Sequence, residues 1–213
     1  ATGRHAHSAL VSPGNRFVLA ASLGGGQLHR YRFDAATGAL QPTDPAVFAL
    51  PAGTGPRHLR FNARGDRIYL LGELDACVHV LAWDEASGGL ELLQSLPTLP
   101  PGFAGPAWGA DLHLSADGRW LYTSERNSHT LAGFAIDAVT GLLAPIDHWS
   151  TQLQPRGFAI TPDGRHLIAA GQISHRVGVH LIAPGSGALT QVAEHDVGLN
   201  PNWITVLPMQ PDA

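Results

Sequence analysis

Short apolar runs alternate with polar turns along the whole chain, and no 3.6-residue apolar period persists over the length of a typical helix. Apolar runs of this kind, bounded by Gly, Pro, Asn and Asp, are typical of β-strands. A long helix would need the sustained period that is missing. The pattern therefore predicts an all-β chain.

One turn recurs four times, each time between two apolar runs. These turns end at Arg16, Arg67, Arg119 and Arg165, which are 46 to 52 residues apart. A third run, a glycine-rich turn and a fourth run follow each of them. In the second unit we predict strands at 58–62, 67–72, 77–83 and 90–96. Repeats of four antiparallel strands at this spacing are typical of β-propeller blades.

The repeat predicts blades at about 4–50, 54–104, 105–151 and 154–197. One more run, at 202–207, has the character of a first strand without the rest of its blade. We therefore expect a partial β-propeller, with four blades and one extra inner strand belonging to a larger ring. Missing N-terminal blades would then be its natural packing partner. The alternative is a four-bladed ring with a C-terminal tail.

Composition narrows the functional classes. The net charge is −4 and Lys and Arg are not clustered, which argues against nucleic acid or an anionic membrane as partner. The single cysteine, Cys77, allows no internal disulfide and favours a reducing, cytoplasmic compartment. The chain has no apolar run of membrane-helix length, and its first residues lack the pattern of a signal peptide.

Polar residues are expected to gather at one face of the propeller. The first two strands of a blade are antiparallel, so the start of the first and the end of the second lie on the same face. Arginine there offers planar, permanently charged donors for an anion, and histidine or glutamate can transfer a proton. These positions gather two histidines, three arginines, two glutamates and an aspartate, among them His5, His7, Arg57, Glu73, Arg126 and Arg156.

Several segments carry a family resemblance: 55–58, 71–74, 110–115, 154–158, and 169–172 followed by Ser174-His175. Together they resemble the seven-bladed β-propeller lactonases of the bacterial 6-phosphogluconolactonase type, which are related to the fungal carboxy-muconate lactonizing enzymes. The resemblance covers essentially the whole chain. It implies the last four blades of a seven-bladed ring plus its closing strand, with three blades of about 110–120 residues in all missing before them.

The resemblance implies hydrolysis of a sugar-acid lactone without metal or cofactor. The expected substrate is 6-phospho-D-glucono-1,5-lactone, giving 6-phosphogluconate in the pentose phosphate pathway. It implies His7, Arg57 and Glu73 as catalytic residues, and Arg126, Arg156 and His5 as binding residues. Glu73 or His7 would take a proton from water, and Arg57 would stabilise the oxyanion. Ser22 and Gly26 stand where many relatives have Asp, so this rim would be less polar. This chain alone is expected to be weakly active or inactive.

Alternatives remain at this stage. A non-catalytic propeller could bind a protein or glycan through the same face, and a muconate-type lactonase would isomerise instead of hydrolysing. Asp111 and His113 lie on the same side of a predicted strand, which favours a structural hydrogen bond. Only His5-x-His7 has a metal-ligand spacing, without a clear third ligand. No Gly-x-Ser-x-Gly motif is present and Cys77 has no base at a suitable spacing, which disfavours covalent catalysis.

Overall fold

The computed structural model describes residues 5–207, and these form sixteen strands and no α-helix. The strands are β1 (Ala6–Val11), β2 (Phe17–Ser22), β3 (Gln27–Asp34), β4 (Ala39–Ala49), β5 (Pro56–Phe61), β6 (Arg67–Gly72), β7 (Cys77–Asp84), β8 (Gly89–Pro97), β9 (Gly109–Leu114), β10 (Trp120–Glu125), β11 (Thr130–Ile136), β12 (Leu143–Ser150), β13 (Pro155–Ile160), β14 (His166–Gly171), β15 (Arg176–Ile182) and β16 (Leu189–Asp196). Because the described part of the chain has no α-helix, it contains none that could cross a membrane.

The strands form four separate antiparallel sheets of four, each in chain order. We call them blades I to IV. The first strands β1, β5, β9 and β13 are neighbours in that order, so the blades form an arc with their first strands innermost. This confirms the prediction of an all-β fold built from four-stranded propeller blades. In blade II the strands begin and end within two residues of the predicted positions.

The predicted extra strand at 202–207 is wrong for this structure. The segment belongs to no sheet, because no strand within residues 5–207 is paired with it. It does lie against the innermost strand of blade IV. A Cβ added to Gly157 would come 2.7 Å from the carbonyl oxygen of Asn202. The segment therefore follows the inner edge of blade IV without forming a ladder.

The hydrophobic cores lie between blades. Phe17 of blade I and Trp83 of blade II meet edge to face, with ring centroids 5.4 Å apart. Two similar clusters join blade II to blade III and blade III to blade IV. Buried tyrosine hydroxyls add a repeated contact: Tyr69 donates to the carbonyl of Gly141 at 2.9 Å, and Tyr122 to that of Gly187 at 2.7 Å. These contacts fix the position of each blade relative to the next. They therefore also fix the relative positions of the innermost strands.

Gly109 marks the closest approach of two blades at the functional face. A Cβ at this position would lie 2.5 Å from the backbone oxygen of Gly72, a separation that real Cβ atoms do not show. The adjoining backbone is tied across the same gap, since Gly109 donates its N–H to the carbonyl of Glu73 at 2.9 Å. Only glycine lets blades II and III come this close.

Candidate functional site

Three candidates from two blades meet in one ion-pair cluster. Arg57 is the second residue of β5, Glu73 follows β6, and Arg126 follows β10. Glu73 Oε2 accepts from Arg57 Nε at 2.8 Å and lies 2.9 Å from Arg126 Nη2. Arg57 and Arg126 are only 2% and 4% exposed. The structure therefore brings together these three residues, which the sequence placed on a common face.

Trp108 completes this cluster and was missed by the sequence analysis. Its indole N–H donates to Glu73 Oε1 at 3.3 Å, and the guanidinium of Arg126 lies 3.9 Å from the centre of its rings. A cation over an indole face is favourable, particularly where water is excluded. The available signal was an aromatic residue directly before β9, the third of the inner strands.

The charged groups of this cluster shift one another's pKa values. Burial alone would raise the pKa of Glu73, but Arg126 and Arg57 outweigh it and hold the pKa below its usual value. Burial lowers the pKa of Arg126 to about 10, against the opposing effect of Glu73. Both groups are therefore charged near neutral pH. A carboxylate held in this way is a weak proton acceptor.

A cavity of about 140 Å³ opens beside the cluster. It is lined by His7, Arg57, His58, Arg156, Asn202 and Trp203. Side chains from blades I, II and IV thus share one space at the inner end of the arc. Arg156 is the partly exposed cation in its wall, and within residues 5–207 it has no ion pair. With Arg57 and Arg126 it gives three guanidinium groups beside a single glutamate.

His7 lies in the cavity wall and His5 does not. Burial and the charge of Arg57 lower the pKa of His7 to about 4, so its imidazole is neutral near pH 7. Its Nδ1 is buried and has no hydrogen-bond partner in the described structure. His5 is exposed, and its backbone oxygen accepts from the N–H of Leu23 at 2.8 Å. The structure therefore separates the two histidines that the sequence grouped together.

Asp111 lies at the centre of a second polar network. Its carboxylate bonds His58 Nδ1 at 2.7 Å and His113 Nε2 at 3.1 Å. The predicted structural hydrogen bond between Asp111 and His113 is confirmed. Burial would raise the pKa of Asp111, but the hydrogen bonds from His113 and His58 hold it well below its usual value. His58 was not predicted as a site residue, because only its contact with Asp111 in the next blade distinguishes it from other histidines.

The described residues contain no group of three or more His, Cys, Asp or Glu side chains arranged to hold a metal ion. His5 and His7, the pair with a ligand-like spacing, differ in exposure as described above. Cys77 is partly buried, and burial raises the pKa of its thiol to about 11. The groups available for chemistry at the cavity are thus imidazoles, guanidiniums and a paired carboxylate.

Four-stranded blades that share one polar cavity at their inner ends define the chain as a β-propeller protein. Comparison with known proteins gives the family. The family model described as "Lactonase, 7-bladed beta-propeller" matches residues 1–206. The chain belongs to this family.

Relatives are similar along nearly the whole chain. A 6-phosphogluconolactonase of Sodalis glossinidius is 39% identical over 203 residues, which are 95% of this chain and 61% of the relative. One of Serratia proteamaculans is 36% identical over 94% of this chain and 60% of its own length. The structure of a periplasmic gluconolactonase of Pseudomonas aeruginosa has 38% identity and a TM-score of 0.86, covering 91% of this chain and 55% of that one. The chain spans about 60% of the length of the curated relatives that it matches.

Proposed function

We propose that the protein hydrolyses a sugar-acid lactone that carries an anionic group, and that 6-phospho-D-glucono-1,5-lactone is its substrate. The observation that carries the proposal is the excess of positive charge around the cavity: Arg57 and Arg156 line it and Arg126 adjoins it. The carboxylates beside these three arginines are two, Glu73 and Asp111. Arginine binds phosphate and carboxylate by paired, charge-assisted hydrogen bonds. The names of the relatives support the same substrate class.

The arginines divide into two roles. Arg57 is fixed by Glu73 and by the carbonyl of Ala110, so its remaining nitrogen can meet the oxyanion that forms on the lactone carbonyl. Arg156 has no ion pair within residues 5–207, and we assign it the phosphate. Glu73 positions Arg57 and Arg126, since its lowered pKa makes it a poor base. His7, expected from the sequence, is one of two imidazoles in the cavity wall that could accept the proton from water.

The test is acid release from 6-phosphogluconolactone, compared with release from the same lactone without phosphate. The variant Arg156→Gln should raise KM for the phosphorylated lactone about 10- to 100-fold and leave the neutral lactone unaffected, because one charge-assisted contact is lost. Arg119→Gln, far from the cavity, is the matched control. An equal effect of Arg156→Gln on both lactones would contradict the phosphate assignment.

The same assay separates the alternative functions. A non-catalytic binding propeller would bind 6-phosphogluconate saturably and release no acid from any lactone. A muconate-type enzyme would interconvert a muconate and its lactone, which the ultraviolet absorbance of the muconate reports. Either result without hydrolysis of the sugar lactone would contradict the proposal.

Cellular location and ring completion have separate tests. We place the protein in the cytoplasm because one cysteine leaves no internal disulfide to form. Fractionation of the source cells tests this, and recovery from the periplasm would contradict it. The prediction that further blades complete the ring is tested by the mass of the natural product.

A further inference from the structure

His58 and Asp111 form a buried pair across the boundary between blades II and III. Asp111 is 1% exposed, and its Oδ1 lies 2.7 Å from His58 Nδ1. An ionised carboxylate only accepts hydrogen bonds, so Nδ1 must carry the proton. This fixes the neutral tautomer of His58 and leaves the lone pair on Nε2. Asp111 is itself held, since it also accepts from the N–H groups of Leu112 at 2.9 Å and Phe158 at 3.4 Å.

Arg57 holds the same imidazole by its face. Its Nη1 lies 3.2 Å from His58 Nε2 and 3.5 Å from Nδ1. A donor in the ring plane could be this near both nitrogens only by colliding with the carbon between them. Arg57 Nη1 therefore lies over the face of the ring, where arginine commonly meets planar groups. A contact over the face does not use the in-plane lone pair of Nε2, and His58 lines the cavity together with Arg57.

We propose that His58, oriented by Asp111, is the general base of the reaction. The proposal rests on the lactonase function proposed above. Nε2 takes a proton from water as the water oxygen bonds to the lactone carbonyl carbon, and the resulting oxyanion lies beside Arg57. The tetrahedral intermediate then collapses by breaking the bond between carbonyl carbon and ring oxygen. The His58 imidazolium returns its proton to that oxygen, giving the open-chain hydroxy acid. This is the arrangement in which a carboxylate orients and stabilises a catalytic imidazole.

The other two candidates lack such an arrangement. Both oxygens of Glu73 are already bonded, to two arginines and to Trp108. His7 meets His58 edge to face at 5.0 Å, but no carboxylate bonds its ring, and its buried Nδ1 is without a partner in the described structure. We therefore expect His7 to shape the cavity without taking the proton.

Blade II contains a natural control for a purely structural pair. His79 is 1% exposed, and its Nε2 lies 3.0 Å from Asp75 Oδ2. Its Nδ1 is also bonded, to Ser95 Oγ at 2.8 Å. This histidine has the same carboxylate contact and comparable burial, but it has no free nitrogen and does not line the cavity. The variant His79→Asn thus reports what losing a buried Asp–His contact does to the fold alone.

The test measures kcat and KM for 6-phosphogluconolactone and the Kd of 6-phosphogluconate. His58→Asn should lower kcat about 10²- to 10⁴-fold and leave KM and Kd nearly unchanged, because a general base acts only in the transition state. Asp111→Asn should lower kcat about 10- to 100-fold, because the His58 imidazole is then no longer held in one tautomer. His79→Asn should keep kcat within about threefold. Added imidazole should partly restore turnover to His58→Ala, which a packing defect would not allow.

Each result bears on one of the two proposals. If the protein with the further blades that we expect to complete its ring releases no acid, the lactonase function fails, whatever the variants do. If it hydrolyses the lactone and His58→Asn, folded by circular dichroism, keeps its kcat, the role of His58 is refuted. Loss of turnover in His7→Gln, with rescue by imidazole, would transfer the role to His7. Should His58→Asn not fold, failure of imidazole to restore turnover to a folded His58→Ala variant would refute the role equally.

Discussion

The two faces of the arc use the same residue types in opposite ways. At the cavity face, Arg57 and Arg126 are almost fully buried and pair with a glutamate that both of them share. At the opposite face, Arg119 pairs with Asp117 two residues away in its own turn, at 2.7 Å, and the side chains are 54% and 46% exposed. Exposed pairs contribute little to stability, whereas a buried charge that loses its partner is costly. The arginines of the two faces therefore differ in burial and not in residue type.

Cavity size alone would point to the opposite face. A space of about 330 Å³, larger than the one at the site, lies between the hairpin turns of blades III and IV, with Arg119 and Arg165 in its wall. Its charged groups are exposed, and Asp117 and Asp163 bond mainly to their own turns. Convergence of buried polar groups from several blades is found at the smaller cavity, which is why we place the function there.

Among the substitutions that compare the two faces, removal of a buried cation should have the largest effect. Arg57→Met should lower turnover about 10²- to 10³-fold by removing an oxyanion donor. It should also reduce the free energy of unfolding by about 3–5 kcal/mol, because Glu73 loses one of its two partners. Arg119→Met, at the opposite face, should change stability by less than about 1 kcal/mol and leave turnover unaffected. Urea unfolding measures the change in stability, and lactone hydrolysis measures the change in turnover. Similar losses for the two variants would contradict the difference that we infer between the faces.

A buried histidine away from both faces should make the fold sensitive to acid. His180 is 1% exposed, and burial lowers its pKa to about 4. The unfolded chain, with a pKa near 6.5, binds more protons between these values. Stability is therefore lost as the pH falls from about 6.5 to about 4, by about 3 kcal/mol from this group. In His180→Gln the difference in unfolding free energy between pH 7 and pH 4 should shrink by that amount. His195→Gln, at an exposed position, should leave the difference unchanged, and an equal change in both would contradict the assignment.

The fold could be predicted from the sequence because each blade repeats a local pattern. Turns ending at Arg67 and Arg119 recur with apolar runs on both sides, and such runs specify strands without knowledge of distant contacts. The same logic placed a strand at 202–207. It failed there because a strand also needs a pairing partner, and the described part of the chain supplies none.

The site was only partly predictable, because its geometry depends on contacts between blades. Strand direction put Arg57 and Glu73 on one face, and the structure confirms that they meet. It could not show that Glu73 is shared with Arg126, which makes the glutamate a poor base. Nor could spacing connect His58 with Asp111, which is 53 residues away in the next blade. Trp108 was missed for the same reason, since its hydrogen bond to Glu73 is made across that boundary.

Substitution of two glycines, one on each face, should have the smallest effects and again distinguish the two faces. Gly109→Ala places a methyl group against the backbone of Gly72 and should cost about 1–3 kcal/mol. Since Arg126 Nη2 donates to the carbonyl of Gly109 at 3.0 Å, the same shift should also disturb the arginine and lower turnover. Gly118 has a φ of +69° and open space around it, so Gly118→Ala should cost about 1–2 kcal/mol through backbone strain alone. Turnover is the measurement that distinguishes them: only the substitution between blades II and III should lower it, because only there does backbone position set the position of a buried charge.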